Sequence, residues 1–193
     1  MGASSVHAVA STDRLIARCI DGDRSAWREM HRALQPAASA FLRQMGVGPE
    51  EIDDACQDVF VQLFRYLPRF ERRSELKTWV YKICVGQAAR LRRKHAVRRT
   101  IARLLGTQRA ALGIAAGADW TGLEARREME AALNKMTERQ RLVFVLYELH
   151  GLPGDEIARI AACPHATVRG RLREARRILS QTVAERTTKG GAS

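Results

Sequence analysis

Apolar residues recur at helical spacing in nearly every segment of this chain, and the alternation expected of a strand is scarce. That pattern constrains the fold more than any other feature and predicts an all-α protein. Gly and Pro fall mostly between the periodic segments, where they cut the chain into separate helices. With 193 residues the chain has room for two domains of modest size. Residues 100–122 lose the stripe and turn to Ala, Gly and other small residues, which predicts a flexible linker. The expected layout is therefore a tail at 1–11, a helical domain at 12–99, the linker, a second helical domain at 123–187 and a tail at 188–193.

The predicted helices have local signals. Leu15, Ile16 and Cys19 share one face of a helix from Thr12 to Ile20, and Asp23 is placed to cap the next, whose stripe is Trp27, Met30 and Leu34. Pro49 suits the first turn of a helix at 50–67 with Ile52, Cys56, Val59, Phe60 and Leu63 on one side. Leu76, Trp79, Val80 and Ile83 make the next stripe. After the linker, Thr137 and Gln140 read as a capping box, and Gly151 closes the helix that follows. A short helix from Gly154 to Ala161, the turn Ala162-Cys163-Pro164 and a basic helix from His165 complete the second domain.

Charge sets the class of partner. The formal net charge is +12, from 33 Lys and Arg against 21 Asp and Glu. Such an excess points to a polyanion, nucleic acid or an anionic membrane face. The longest uncharged apolar stretch, Ala110 to Ala118, is far short of a membrane span. Ala8-Val9-Ala10 lacks the basic and apolar segments that precede a signal cleavage site. Cys19, Cys56, Cys84 and Cys163 are dispersed in apolar, helix-like surroundings and read as buried thiols. The five histidines show no metal-ligand spacing, and neither a metal nor a cofactor is expected.

Three constellations carry possible function. The helix, turn and basic helix over residues 154–179 have the layout of a helix-turn-helix, whose second helix can lie in the major groove. A solvated basic face is the plainer alternative. The acidic helix at 50–67 places Asp54 and Asp58 one turn apart, away from the apolar stripe, with Gln57 beside them. They fit a protein-docking face, a merely solvated face or, with a metal, a nucleic-acid enzyme. From Arg69 to Arg99 the balance reverses, with eleven Lys and Arg against Glu71 and Glu75. Here Trp79 and Tyr81 lie among Lys77, Lys82 and the Arg90–Lys94 cluster, a mixture that can stack and hold single-stranded bases. Trp79 reads first as a core residue, and Tyr81 is the aromatic expected at the surface.

Together the three resemble a bacterial RNA polymerase sigma factor of the extracytoplasmic-function (ECF) type, of the primary-sigma family. The resemblance covers residues 12–99 and 124–184. It rests on Asp54-Ala55-Cys56-Gln57-Asp58-Val59-Phe60, on Phe70 and Leu76-Lys77-Thr78-Trp79-Val80-Tyr81-Lys82-Ile83, on Thr137-Glu138-Arg139-Gln140-Arg141 with Glu156-Ile157-Ala158, and on Thr167-Val168-Arg169-Gly170-Arg171-Leu172. It implies a non-enzymatic factor that binds core RNA polymerase and promoter DNA, with no catalytic residue and no small-molecule substrate. Asp54, Gln57, Asp58, Phe60, Val61 and Phe64 would dock on polymerase. Lys77, Trp79, Tyr81, Lys82, Arg90, Arg93 and Lys94 would hold the melted minus-ten strand. His165, Thr167, Arg169, Gly170, Arg173 and Arg176 would meet the minus-thirty-five element. An anti-sigma factor is a further implied partner. The implied compartment is the cytoplasm, free or held at the inner membrane face by that partner, without insertion of this chain. A stand-alone helix-turn-helix regulator is the alternative.

The chain departs from the family pattern at four positions. Gly86 and Arg90 stand where the pattern has Asn and Asp, Gly170 where it often has Ser, and Glu174 where it often has Arg. Gly170 costs about 1 kcal/mol of helix propensity relative to Ala and opens room for a close backbone approach to DNA. Glu174 removes a phosphate contact or accepts from a cytosine amine.

Overall fold

The computed structural model describes residues 3–72, 74–104 and 123–190, and these are helical with short turns between. Two helical units result. The first contains α1 (Ala3–Ile20), α2 (Arg24–Gln44), α3 (Ile52–Tyr66) and α4 (Leu76–Leu104). The second contains α5 (Leu123–Lys135), α6 (Glu138–Phe144), α7 (Gly154–Ile160) and α8 (His165–Gly190). Three expected boundaries shift. The backbone is already helical at Ala3, inside the stretch expected as a tail, and α8 runs to Gly190 through most of its expected end. The expected linker also begins inside a helix, since α4 continues to Leu104; residues 105–122 of that linker lie outside the described residues.

Local chemistry explains the starts and stops. The Asp23 carboxylate accepts from the Ser25 and Ala26 amides at 2.7 and 3.2 Å, satisfying donors that the first turn of α2 leaves open. Arg18 also donates to Asp23, and with Ser25 it holds the Asp23 carboxyl well below the ordinary range. Thr137 and Gln140 form the expected capping box at the start of α6. Pro36 lies inside α2, so one helical donor is missing there.

The first core is built where α2, α3 and α4 meet. Met30, Phe41, Leu42, Val59, Leu63, Val80, Tyr81, Cys84 and Ala88 are buried there almost completely. The second core packs α5, α6 and α7 on α8, with Val143, Phe144, Leu146, Ile157, Val168 and Ala175 inside. Cys19, Cys56 and Cys84 are buried, Cys163 is half-buried, and all four are thiols. Burial pushes the Cys84 thiol up. Among the described residues no helix is long and apolar enough to cross a membrane.

Two irregularities shape the second unit. After Phe144 the helix widens into a π-helical turn, Val145–Leu149, in which the His150 amide donates to the Val145 carbonyl at 3.1 Å. The turn between α7 and α8 places Ala162 at φ +47°, a left-handed conformation that costs an L-residue with a Cβ roughly 1–2 kcal/mol. Ala162→Gly is therefore expected to stabilise this unit by about 0.5–1 kcal/mol after the added unfolded-state entropy. Urea titration would measure it, and a loss of stability would show the turn to be unstrained.

Candidate nucleic-acid interface and docking face

On α3 the helical period sorts the expected docking residues. Asp54, Gln57, Val61 and Phe64 are exposed, and Asp58 is partly so. Positions 54, 57, 58, 61 and 64 follow one helical strip, so the structure brings these five together. Phe60 turns away from it, half-buried, with its ring 4.3 Å from that of His31. Phe64 is 62 % exposed and leans on Trp27, whose ring lies 4.8 Å away and whose indole donates to the Cys19 carbonyl. The result is an acidic end and an apolar end on one surface.

The α4 face differs from expectation at Tyr81. This residue is fully buried, stacked 5.1 Å from Phe41, so it cannot meet a nucleic-acid strand in this conformation. The buried strip of α4 follows Tyr81, Cys84, Ala88 and Leu91, rotated from the Leu76–Trp79–Ile83 line that the sequence suggested. The lysines at 77 and 82 flank Tyr81 in sequence but lie on either side of that strip, both exposed. Trp79 is half-buried on Phe70, with ring centroids 5.0 Å apart. Both aromatics line a cavity of about 440 Å³ with Arg69, Ser74, Thr78 and Lys82.

The cations of this segment divide. Lys82, Arg93 and Lys94 are exposed. Arg90 reaches to α3 and pairs with Asp58. Arg92 donates to the Met45 carbonyl at 3.2 Å and pairs with Glu138 on α6, so it ties the two units together.

That junction was not visible in the sequence. Thr78 donates to Glu156 of α7, and Glu156, Arg159 and Ile160 close the second side of the Trp79 cavity. His150 inserts beside Tyr81 and Phe41. Its Nε2 donates to Gln44 Oε1 at 2.7 Å, which leaves Nδ1 to accept from the Tyr81 hydroxyl at 2.7 Å. Both nitrogens are thus used by the neutral ring. Burial, and then the nearby Lys77 charge, lower the His150 pKa to about 4.

On α8, Arg169, Gly170 and Arg173 are exposed along the outer face, and Thr167 is half-buried. Space around Gly170 is open. The His165 ring packs on Gly154, where an added Cβ would come within 2.3 Å of its Nε2. Arg176 is drawn back, donating to Glu148 at 2.7 Å and lying over the Tyr147 ring. Glu174 is held by Arg177 one turn along, and that hydrogen bond lowers its pKa. Among the described residues no cluster of three metal-ligating side chains occurs. With Arg90 on Asp58, the carboxylate pair on α3 is a poor seat for a divalent ion.

Comparisons with known proteins agree with this division. Residues 30–108 match the family model for sigma-70 region 2, and residues 126–179 match that for sigma-70 region 4. The chain is similar to the ECF RNA polymerase sigma-E factor of Escherichia coli K12, 29 % identical over 178 residues, covering 88 % of this chain and 92 % of that one. It is similar to the ECF RNA polymerase sigma-E factor of Haemophilus influenzae, 24 % identical over 177 residues, covering 88 % and 93 %. Its fold resembles that of the sigma factor RpoE in complex with the anti-sigma factor NepR from Bartonella quintana. That match has a TM-score of 0.69 and 23 % identity, over 81 % of this chain and 96 % of that one.

Proposed function

We infer the division of labour along this chain from one premise: it belongs to the sigma-70 family, as an alternative sigma factor of the ECF type that directs transcription. This description replaces the looser label of a primary sigma. The chain is not an enzyme; it binds core RNA polymerase and promoter DNA. A stand-alone helix-turn-helix regulator would leave the region 2 match over residues 30–108 without a role.

The α3 strip docks on core polymerase. Asp54, Gln57 and Asp58 supply acceptors for a basic partner, and Val61 and Phe64 supply apolar area. The single observation that carries this is the exposure of Phe64, a large apolar side chain left uncovered beside carboxylates. The melted minus-ten strand lies along α4, with Trp79 on Phe70 as a stacking surface and Lys77, Lys82, Arg93 and Lys94 toward phosphates. The first turns of α8 read the minus-thirty-five element through Arg169 and Arg173, with Gly170 giving the backbone room to approach. The chain acts in the bacterial cytoplasm, and an anti-sigma partner covers the α3 strip in the inactive state.

Transcription from a genomic fragment library, with core polymerase plus this chain, tests the reading. New transcripts sharing two spaced upstream elements are expected. Absence of both transcription and core binding would overturn it.

The two kinds of DNA contact should separate experimentally. Arg169→Ala or Arg173→Ala is expected to cost about 1–3 kcal/mol on the cognate promoter and to relax its specificity. Arg93→Ala or Lys94→Ala should weaken binding to all sequences alike and flatten the salt dependence by roughly one unit of slope. Indistinguishable behaviour on a promoter panel would reject the division.

A further inference from the structure

Three side chains close a hydrogen-bonded ring between α3 and α4. Asp58 Oδ2 accepts from Gln87 Nε2 at 2.8 Å and from Arg90 Nη2. Arg90 Nε in turn donates to Gln87 Oε1 at 3.1 Å. Gln87 is 2 % exposed, so packing fixes its amide, while the Arg90 and Asp58 side chains stay open at 62 % and 46 %. The planar guanidinium serves both partners at once, which an ammonium cannot do. An acid at this position, as in the family pattern, would repel Asp58 where Arg90 binds it.

We propose that Arg90 is a positioning residue of the polymerase-docking face, acting through Asp58, and not a cation that holds the minus-ten strand. The proposal rests on the reading of α3 as the docking strip. With Oδ2 turned into the ring, Oδ1 remains for a donor from the partner. The guanidinium would have to release both Asp58 and Gln87 to reach a phosphate. Arg93 and Lys94, exposed on the same helix, carry no such cost. The ring also ties the docking strip to the strand-binding helix, so α3 and α4 meet polymerase and DNA as one body.

The test compares Arg90→Ala, Arg90→Lys, Asp58→Asn and the double variant Asp58→Asn/Arg90→Ala. Core affinity is read with labelled full-length chain. Binding of each holoenzyme to a labelled non-template-strand oligonucleotide is read over a salt series. Arg90→Ala is expected to weaken core binding by about three- to five-fold, the scale of an exposed ion pair. The double variant should bind core no more weakly than Asp58→Asn alone, since Arg90 acts through that carboxylate. The salt slope for the oligonucleotide should not change, and Arg90→Lys should recover only part of the loss. Unchanged core affinity overturns the proposal, whether the salt slope falls by one unit, which marks a phosphate contact, or stays fixed, which marks an inert surface pair. Failure of the unsubstituted chain to bind core would instead overturn the docking role of α3 itself.

Discussion

Phe41→Ala is expected to lower stability by about 3–5 kcal/mol, the range for removing a fully buried aromatic ring. Against a net stability of roughly 5–15 kcal/mol, that is a large share. The ring serves two structures at once. It fills the first core, and it stacks 5.1 Å from Tyr81 and 5.5 Å from His150 at the junction of the units. Its loss should therefore both unfold the chain earlier in urea and loosen the junction under native conditions. Leu63→Ala separates the two effects. Leu63 is equally buried but lies on α3, and its truncation should cost about 2–5 kcal/mol in the first core alone. Urea titration by Trp fluorescence, with small-angle scattering of the native chain, checks both. A Phe41→Ala cost below about 1 kcal/mol would mean that its site collapses around the missing ring.

The second large effect is a loosening of the junction in mild acid. Buried between the units, His150 has its pKa lowered from 6.5 to about 4. Above pH 6.5 the ring is neutral whether the units are docked or apart, so its titration favours neither state. As pH falls below 6.5, the separated state takes up a proton that the docked state excludes. The docked state then loses about 1.4 kcal/mol per pH unit, approaching about 3 kcal/mol near pH 4. Lys77, whose charge already lowers the His150 pKa, opposes the new charge, and the Tyr81 phenol, pushed well above its ordinary range by burial, stays protonated throughout. Between pH 6.5 and 5, above the ordinary carboxylate range, about 2 kcal/mol should already be gone. The radius of gyration should rise across that window, and His150→Gln should abolish the rise. An unchanged radius in the parent chain would show that the junction does not depend on a neutral His150.

The local signals of this fold were legible because short-range chemistry settles them. Asp23 and the Thr137–Gln140 pair cap helices through bonds that span three residues or fewer. The strip from Asp54 to Phe64 follows from the helical period alone. Tyr81 shows where such reasoning stops. Periodicity finds a face, but it does not reveal what covers that face, and here the cover includes His150, 69 residues away. Flanking lysines made the surface seem the natural place for Tyr81, yet both point elsewhere. Arg90 and Arg92 fail in the same way. Within a run of cations nothing local distinguishes a side chain that reaches to Asp58 or Glu138 from one that meets solvent. The helical boundaries at Ala3 and Leu104 were missed because small residues can continue a helix without adding to an apolar stripe. The left-handed Ala162 carries no sequence signal, since Gly or Asn is the usual sign of that conformation.

The widened turn at Val145–Leu149 makes the junction a matter of chain length as well as chemistry. Each residue of a regular helix advances the chain by about 100°. A π turn absorbs one residue more than that register allows, much as an insertion would, without breaking the helix. Deleting a single residue from this turn would restore the ordinary register and swing everything beyond it about a quarter-turn. The imidazole would then leave Tyr81 and Gln44 although every side chain at the junction was unaltered. In this chain an indel, more than a substitution, is the simplest event that would uncouple the two halves.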